Sequence, residues 1–152
     1  MIYFYTRSQK TRVCAEALSD ILGLPLYELQ ADINRYGRIR FIFSAMASVM
    51  TRKGTPINNL PIFVPPEIYL CGPVWAGHPA GPLAYFLRNV DLSGTQVHLL
   101  LSAAQPTEKD RETAQGILAN AGCQAGEVYL LATAKGLPER DTVAEHLREM
   151  LP

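Results

Sequence analysis

Apolar and polar positions along this chain fall into short apolar runs separated by longer stretches of helical period. Ile2-Tyr3-Phe4-Tyr5 opens it as an aromatic and β-branched run that predicts a buried strand. The polar stretch Thr6 to Thr11 ends that run. Val13, Ala17, Leu18, Ile21 and Leu22 then recur at helical spacing up to Gly23, which stands where a C-terminal cap belongs. Leu24 to Leu29 predicts a second strand at a sheet edge, because Pro25 has no N–H to give to a ladder. Ile68 to Cys71, Val97 to Leu101 and Val128 to Leu131 predict three more strands. Between them lie a helix through Leu83, Phe86 and Leu87, and another over Thr107 to Ala121. The latter has Ala114, Ile117 and Leu118 inward, Glu108 and Asp110 near its start, and Gly122 as its cap. Thr142, Val143, His146, Leu147 and Met150 line one side of a final helix, leaving Glu145, Arg148 and Glu149 to solvent. Strands alternating with helices in this way predict an α/β protein, a parallel sheet covered on both faces with right-handed connections.

Two stretches stand apart from that alternation. From Arg35 to Lys53, the positions Ile39, Ile42, Met46 and Val49 or Met50 match helical spacing, with Arg35, Arg38 and Arg40 before them and Arg52 and Lys53 after. Phe41, Phe43 and the rest make this segment apolar around much of its circumference. It reads as a core helix, a lid or oligomer contact, or a membrane-surface contact. Thr55 to Pro66, rich in Pro and Asn, reads as an ordered connector.

The candidate chemistry gathers where strands hand over to helices. Thr6-Arg7-Ser8-Gln9-Lys10-Thr11 brings hydroxyls and cations to the N-terminus of the first helix, where amides and the helix dipole suit a phosphate. Its plainer reading is a solvated loop in which Thr11 caps the helix. After the third strand, Gly72-Pro73-Val74-Trp75-Ala76-Gly77-His78-Pro79-Ala80-Gly81-Pro82 forms a Gly- and Pro-rich loop holding the chain's only Trp. Gly admits a ligand close to the backbone, and Trp75 offers a flat face for stacking. Such a loop at a strand's carboxyl end is where open α/β sheets build ligand crevices. His78 reads as a structural loop residue or as a hydrogen-bond donor to a bound ligand or substrate carbonyl, His98 as a core residue of an apolar strand, and His146 as a helix-face residue.

These two stretches carry a resemblance to a known family. Tyr3-Phe4-Tyr5-Thr6-Arg7-Ser8-Gln9-Lys10-Thr11-Arg12 resembles the strand and hydroxyl-rich phosphate loop of single-domain flavodoxin-like proteins that bind FMN. Gly72 to Pro79 is similar to their G-x-P-x-W-x-G-x-P flavin loop, and Phe86-Leu87 with Asp91-Leu92-Ser93-Gly94 is similar to their lead into the next strand. The resemblance implies one flavodoxin-like domain over 1–152 with a helical insertion at about 35–54. It implies a three-layer, doubly wound, five-stranded parallel sheet of order 2-1-3-4-5, with the ligand at the switch between strands 1 and 3. It implies FMN held at the phosphate by Thr6, Arg7, Ser8, Gln9, Lys10 and Thr11. The ring would lie along Pro73, Val74, Trp75, Ala76 and Gly77, and its other polar edge against Ser102, Ala103, Ala104 and Gln105. Two departures stand out. Gln9 occupies a position where the family usually has Gly, and Ser102 to Gln105 lacks the Thr/Ser-Gly-Gly pattern common in relatives.

Composition sharpens this picture at a few points. With 152 residues, 48% apolar and 18% charged, the chain is long enough for a substantial core. Lys plus Arg and Asp plus Glu number 14 each, so no net charge points to nucleic acid. Flavodoxin carriers are typically acidic. Here neither Gly72 to Pro82 nor Ser102 to Gln105 contains an acid, so an anionic reduced flavin would be less penalised than in an acidic carrier. Cys14, Cys71 and Cys123 are far apart and form no CxxC pair, which predicts reduced thiols, no metal site and a cytoplasmic location. No apolar run reaches spanning length, so no stable membrane insertion is expected. No protein nucleophile or acid–base pair is expected either. The reading that follows is an FMN-binding electron-transfer protein working between a reductase and an acceptor protein. The alternatives are an FMN-dependent NAD(P)H/quinone-type reductase, for which the Phe41 to Met50 segment would form a lid or homodimer wall, and a flavodoxin-like scaffold that has lost FMN.

Overall fold

The computed structural model describes residues 1–35, 37–51, 53–133, 136 and 138–152, with the side chains of 34, 35 and 48–51 outside that description. Five parallel strands, β1 (Ile2–Phe4), β2 (Leu26–Glu28), β3 (Glu67–Trp75), β5 (Gln96–Ala103) and β6 (Gln124–Ala132), form a sheet of order β2-β1-β3-β5-β6. A two-residue strand, β4 (His78–Pro79), pairs antiparallel with the end of β3. Counting only the parallel strands, this is the order 2-1-3-4-5. The helices are α1 (Lys10–Leu22), α2 (Arg38–Thr51), α3 (Gly81–Asn89), α4 (Glu108–Ala119) and α5 (Arg140–Met150).

Side-chain alternation along the strands builds the two cores. Tyr3, Tyr5, Ile68, Leu70, Leu99 and Leu101 point to one face and pack with Leu83, Phe86, Ala114 and Leu118 of α3 and α4. Ile2, Phe4, Cys71 and Leu100 point to the other face, against Cys14 and Leu18 of α1 and Val143 and Leu147 of α5. Each fully buried Leu or Phe here stabilises by roughly 1.5–3 kcal/mol relative to exposure. Gly72 in β3 lies close against the Leu83 side chain, which would have to shift to admit a Cβ there. The edge strand β2 is covered by the Pro- and Asn-rich connector. Asn59 Nδ2 donates to the Glu28 carbonyl (2.8 Å), and its Oδ1 accepts the Gln30 amide (2.7 Å), which occupies edge groups that would otherwise invite pairing.

Several expectations need correction. Strand β3 does not stop at Cys71: ladder partners Gly72↔Leu101 and Pro73↔Ser102 carry it onward, and Trp75 lies in strand rather than loop. In α1 the N-cap is Gln9, and Thr11 sits inside the first turn. Helix α4 ends at an Asn120 cap, short of Gly122, and begins with a capping box in which Thr107 and Asp110 satisfy each other's backbone N–H groups. On α5 the buried face is Val143, Ala144 and Leu147, whereas Thr142 and His146 are exposed. His98 is buried as expected. It stacks on Tyr69 at 4.8 Å, and its Nδ1 accepts the Glu127 N–H at 3.0 Å.

The largest correction concerns α2. It is a helix, but Ile39 (73% exposed), Ile42 (47%), Phe43 (69%) and Met46 (51%) face solvent, so the core-helix reading fails. Its inner contacts come from Ala45, which is buried, and Phe41, which packs on the core. Arg52 lies outside the described residues, as do the side chains of Arg35, Val49 and Met50. No helix among the described residues is long and apolar enough to cross a membrane.

Candidate functional site

The sheet order reverses between β1 and β3, so the connections leaving these strands go to opposite sides and leave a crevice at their carboxyl ends. A cleft of about 610 Å³ occupies that point. Arg7, Ser8, Lys10 and Thr11 line it from the loop into α1, Pro73, Val74 and Trp75 from β3, and Ser102, Ala103 and Ala104 from the end of β5. Ten of the positions marked in the sequence thus share one wall. The other five stand beside it. Thr6 is buried at the root of the first loop, and Ala76 and Gly77 form the turn beyond Trp75. Gln105 is exposed past the end of β5, and Gln9 aims its side chain away.

One end of the cleft is polar. Helix α1 has no side-chain N-cap bond and no acid in its first turn. The first intrahelical bond is Val13 N–H to the Gln9 carbonyl at 3.2 Å, so the amides of Lys10, Thr11 and Arg12 have no acceptor within the helix. These donors and the positive end of the helix dipole suit an anion. The floor is fixed by the buried pair Thr11 Oγ1 and Ser102 Oγ, 2.9 Å apart, which ties α1 to β5. Lys10 crosses the cleft's end to donate to the Thr133 carbonyl at 2.8 Å. Thr133 is a lining residue that sequence reasoning missed; its only signal is a hydroxyl residue just past a predicted strand, at the same edge as Ser102.

Gln9 holds the left-handed conformation (φ 65°), which Gly adopts without steric cost and other residues rarely take. Its Oε1 accepts from Arg12 Nε at 2.6 Å, and Arg12 in turn pairs with Glu28 on β2 at 2.6 Å, so the side chain is anchored away from the cleft.

The other end is aromatic. Half-buried Trp75 meets Tyr5 edge to face at 5.7 Å and Phe41 of α2 at 5.0 Å, both close to perpendicular. The Arg7 guanidinium lies 3.5 Å over the Phe41 ring. Phe41 is therefore a second wall residue, from the segment offered in the sequence as a lid or homodimer wall of the reductase reading. Beyond Trp75 the chain reverses in a two-residue hairpin, Trp75 pairing with His78 around Ala76 (φ 49°) and Gly77 (φ 79°). Positive φ at both central residues is the signature of a type I′ turn, which matches strand twist. Burial pushes the Tyr5 phenol well above its usual pKa, keeping it neutral behind Trp75. Beneath the cleft, burial pushes the Cys14 thiol up to about 12 and holds that of Cys71 well above its usual range, so neither is a nucleophile. Among the described residues, no Asp or Glu lines the cleft.

A larger groove of about 880 Å³ lies between α3 and α4, walled by Ala84, Leu87, Gly116 and Ile117, with His78 and Arg88 among its lining. Its one lining hydroxyl is Thr113, against Ser8, Thr11, Ser102 and Thr133 in the strand-end cleft.

No protein-family model matches this sequence, and comparison with curated proteins finds no match. Solved structures do resemble the fold. A Bacteroides uniformis protein assigned as a flavoprotein superposes with a TM-score of 0.78 at 16% identity, over 97% of this chain and 96% of its own. A second, from Bacteroides eggerthii, gives 0.72 at 14% identity over 97% and 94%. A Lactobacillus acidophilus flavoprotein, crystallised in complex with FMN, gives 0.63 at 19% identity over 85% and 90%. At such identities the likeness is one of architecture, and together with the strand order it assigns this chain the flavodoxin-like fold.

Proposed function

We propose that this chain binds FMN in the strand-end cleft and works as an electron-transfer flavoprotein between a reductase and an acceptor protein. The observation that carries the reading is the pairing of an uncapped helix N-terminus with a half-buried Trp across one cleft, at the point where the sheet order reverses. The donor set fits FMN. The Lys10 to Arg12 amides, the Ser8 and Thr11 hydroxyls and the Lys10 ammonium suit a phosphate, with Thr6, Arg7 and Gln9 shaping that loop. Trp75, with Pro73 and Val74, suits a planar ring, and the Ala76-Gly77 turn closes that side. Ser102 to Gln105 lie toward the ring's polar edge. Bound FMN would supply the electron chemistry, and the protein's part is to hold, orient and shield it. The acid-free wall leaves negative charge on a reduced flavin less opposed than an acidic site would.

Phe41 favours a second reading. A helix-borne ring standing over Trp75 narrows the approach for a protein partner, as a site for small quinone-type substrates would require. The cofactor is tested by incubating the protein with FMN, desalting it, and recording the visible spectrum and Trp75 fluorescence. Retained flavin absorbance with quenched fluorescence is expected. Loss of the flavin with unchanged fluorescence would leave a scaffold without FMN. NAD(P)H oxidation by the loaded protein alone would select the reductase reading, and reduction only through a partner flavoprotein the carrier.

A further inference from the structure

The exposed face of α2 has no use in that reading, and its composition is unlike that of any other helix here. Ile39, Ile42, Phe43 and Met46 follow each other at helical spacing, and all four are among the most exposed large apolar side chains of the described residues. At about 100° per residue they form one stripe, with Arg38 to one side of it and Arg40 to the other. From 33 to 66 the sequence has no Asp or Glu, while Arg35, Arg38, Arg40, Arg52 and Lys53 all fall within it.

We propose that this stripe docks the protein on an anionic lipid bilayer surface, the apolar side chains entering the interface and the flanking arginines meeting the headgroups. Charge complementarity selects this occupant. A second copy of the same face would bring arginines toward arginines with no acid between them. An acidic protein would meet the charge, but protein interfaces carry about one hydrogen bond per 100–200 Å², and the four stripe residues offer no side-chain donor or acceptor. A bilayer interface needs neither shape complementarity nor hydrogen bonds from the inserted stripe, only apolar area bordered by cations. The inference is independent of whether the cleft holds FMN.

The test is co-sedimentation of the full chain with vesicles of phosphatidylcholine alone, or with about one third phosphatidylglycerol. Binding to the anionic vesicles only is expected, weakened in about 0.5 M salt. The variant Ile39→Ser with Phe43→Ser should bind at least about tenfold more weakly, and Arg38→Glu with Arg40→Glu should lose preference for the anionic vesicles. All these side chains are exposed, so an unchanged far-ultraviolet circular dichroism spectrum is expected of both variants. Equal sedimentation with both vesicle types, or none, overturns the proposal. So does a wild-type dimer seen by light scattering that Ile39→Ser with Phe43→Ser abolishes, which would make the occupant a second copy. Binding to an acidic protein such as a purified flavodoxin, without binding to anionic vesicles, overturns it as well.

Discussion

The two corners that bound the cleft solve one backbone problem with opposite chemistry. Gln9, before α1, and Ala76, after β3, are the residues other than Gly that take positive φ among those described, and they stand at the two ends of the site. A side chain in the left-handed region costs about 1–2 kcal/mol, so each corner must be held by its surroundings. At Gln9 the hold is polar: a side-chain bond to Arg12, then the Thr11–Ser102 and Lys10–Thr133 bonds within the next turn. At Ala76 it is aromatic and strand-borne: Trp75 wedged between Tyr5 and Phe41, and the β3–β4 ladder closing across the turn. A single cleft thereby acquires a donor-rich end and a flat apolar end. That is the division a ligand with a phosphate and a planar ring would need.

Removing the aromatic hold should have the largest effect. Trp75→Ala deletes both edge-to-face contacts and the larger of the two aromatic rings, Trp75 and Phe41, that line the cleft. Fully buried Trp truncations cost about 3–5 kcal/mol; for a half-buried ring about 2 kcal/mol is expected, read as a lower urea midpoint. FMN affinity should fall at least about tenfold by flavin titration, while a phosphate-only ligand should bind as before. Equal weakening of both ligands would mean that the two ends are not chemically separate.

The polar hold is tested by Thr11→Val, which keeps the shape and leaves the buried Ser102 hydroxyl without its partner. A loss of about 1–2 kcal/mol is expected, since an abandoned buried hydroxyl costs more than a bond contributes. Adding Ser102→Ala should recover part of that loss. A double-mutant cycle measured in urea should give a coupling near about 1 kcal/mol. Strict additivity would mean that the α1–β5 tie does nothing for the fold.

This contrast also explains which parts of the molecule were legible in the sequence. The layers were, because Ile2 to Tyr5 and, His98 apart, Val97 to Leu101 are apolar at every position, as strands covered on both faces must be. The polar corner was legible by position, a hydroxyl- and cation-rich loop between the first strand and the first helix. The aromatic corner was read correctly for residue type and wrongly for conformation. Gly72, Pro73 and Gly77 signal a loop, yet the β5 ladder and the two-residue β4 hold Gly72 to Trp75 in strand, a non-local effect that local composition does not encode. Thr133 enters the cleft wall only because β6 lies beside β5 with Ala103 opposite Ala132. Periodicity found the stripe on α2 but cannot say which side of a helix has neighbours; Ile39 and Met46 fit the pattern of a core face and lie in solvent.

The smallest effects are the most discriminating. Replacing either strained corner by Gly relieves the left-handed cost and adds unfolded-state entropy, so the net gain is at most about 1 kcal/mol. The two corners should not respond alike. Ala76→Gly gives up only a methyl on an exposed turn, so a gain of about 0.5–1 kcal/mol is expected. Gln9→Gly also forfeits the 2.6 Å bond to Arg12, an exposed side-chain pair worth about 0.5 kcal/mol, so its gain should be close to nil. Urea midpoints of the two variants, measured side by side, decide the matter. A larger gain at position 9 than at 76 would show that the Gln9–Arg12 bond holds nothing, and that the polar corner is kept in its strained turn by the backbone around it alone.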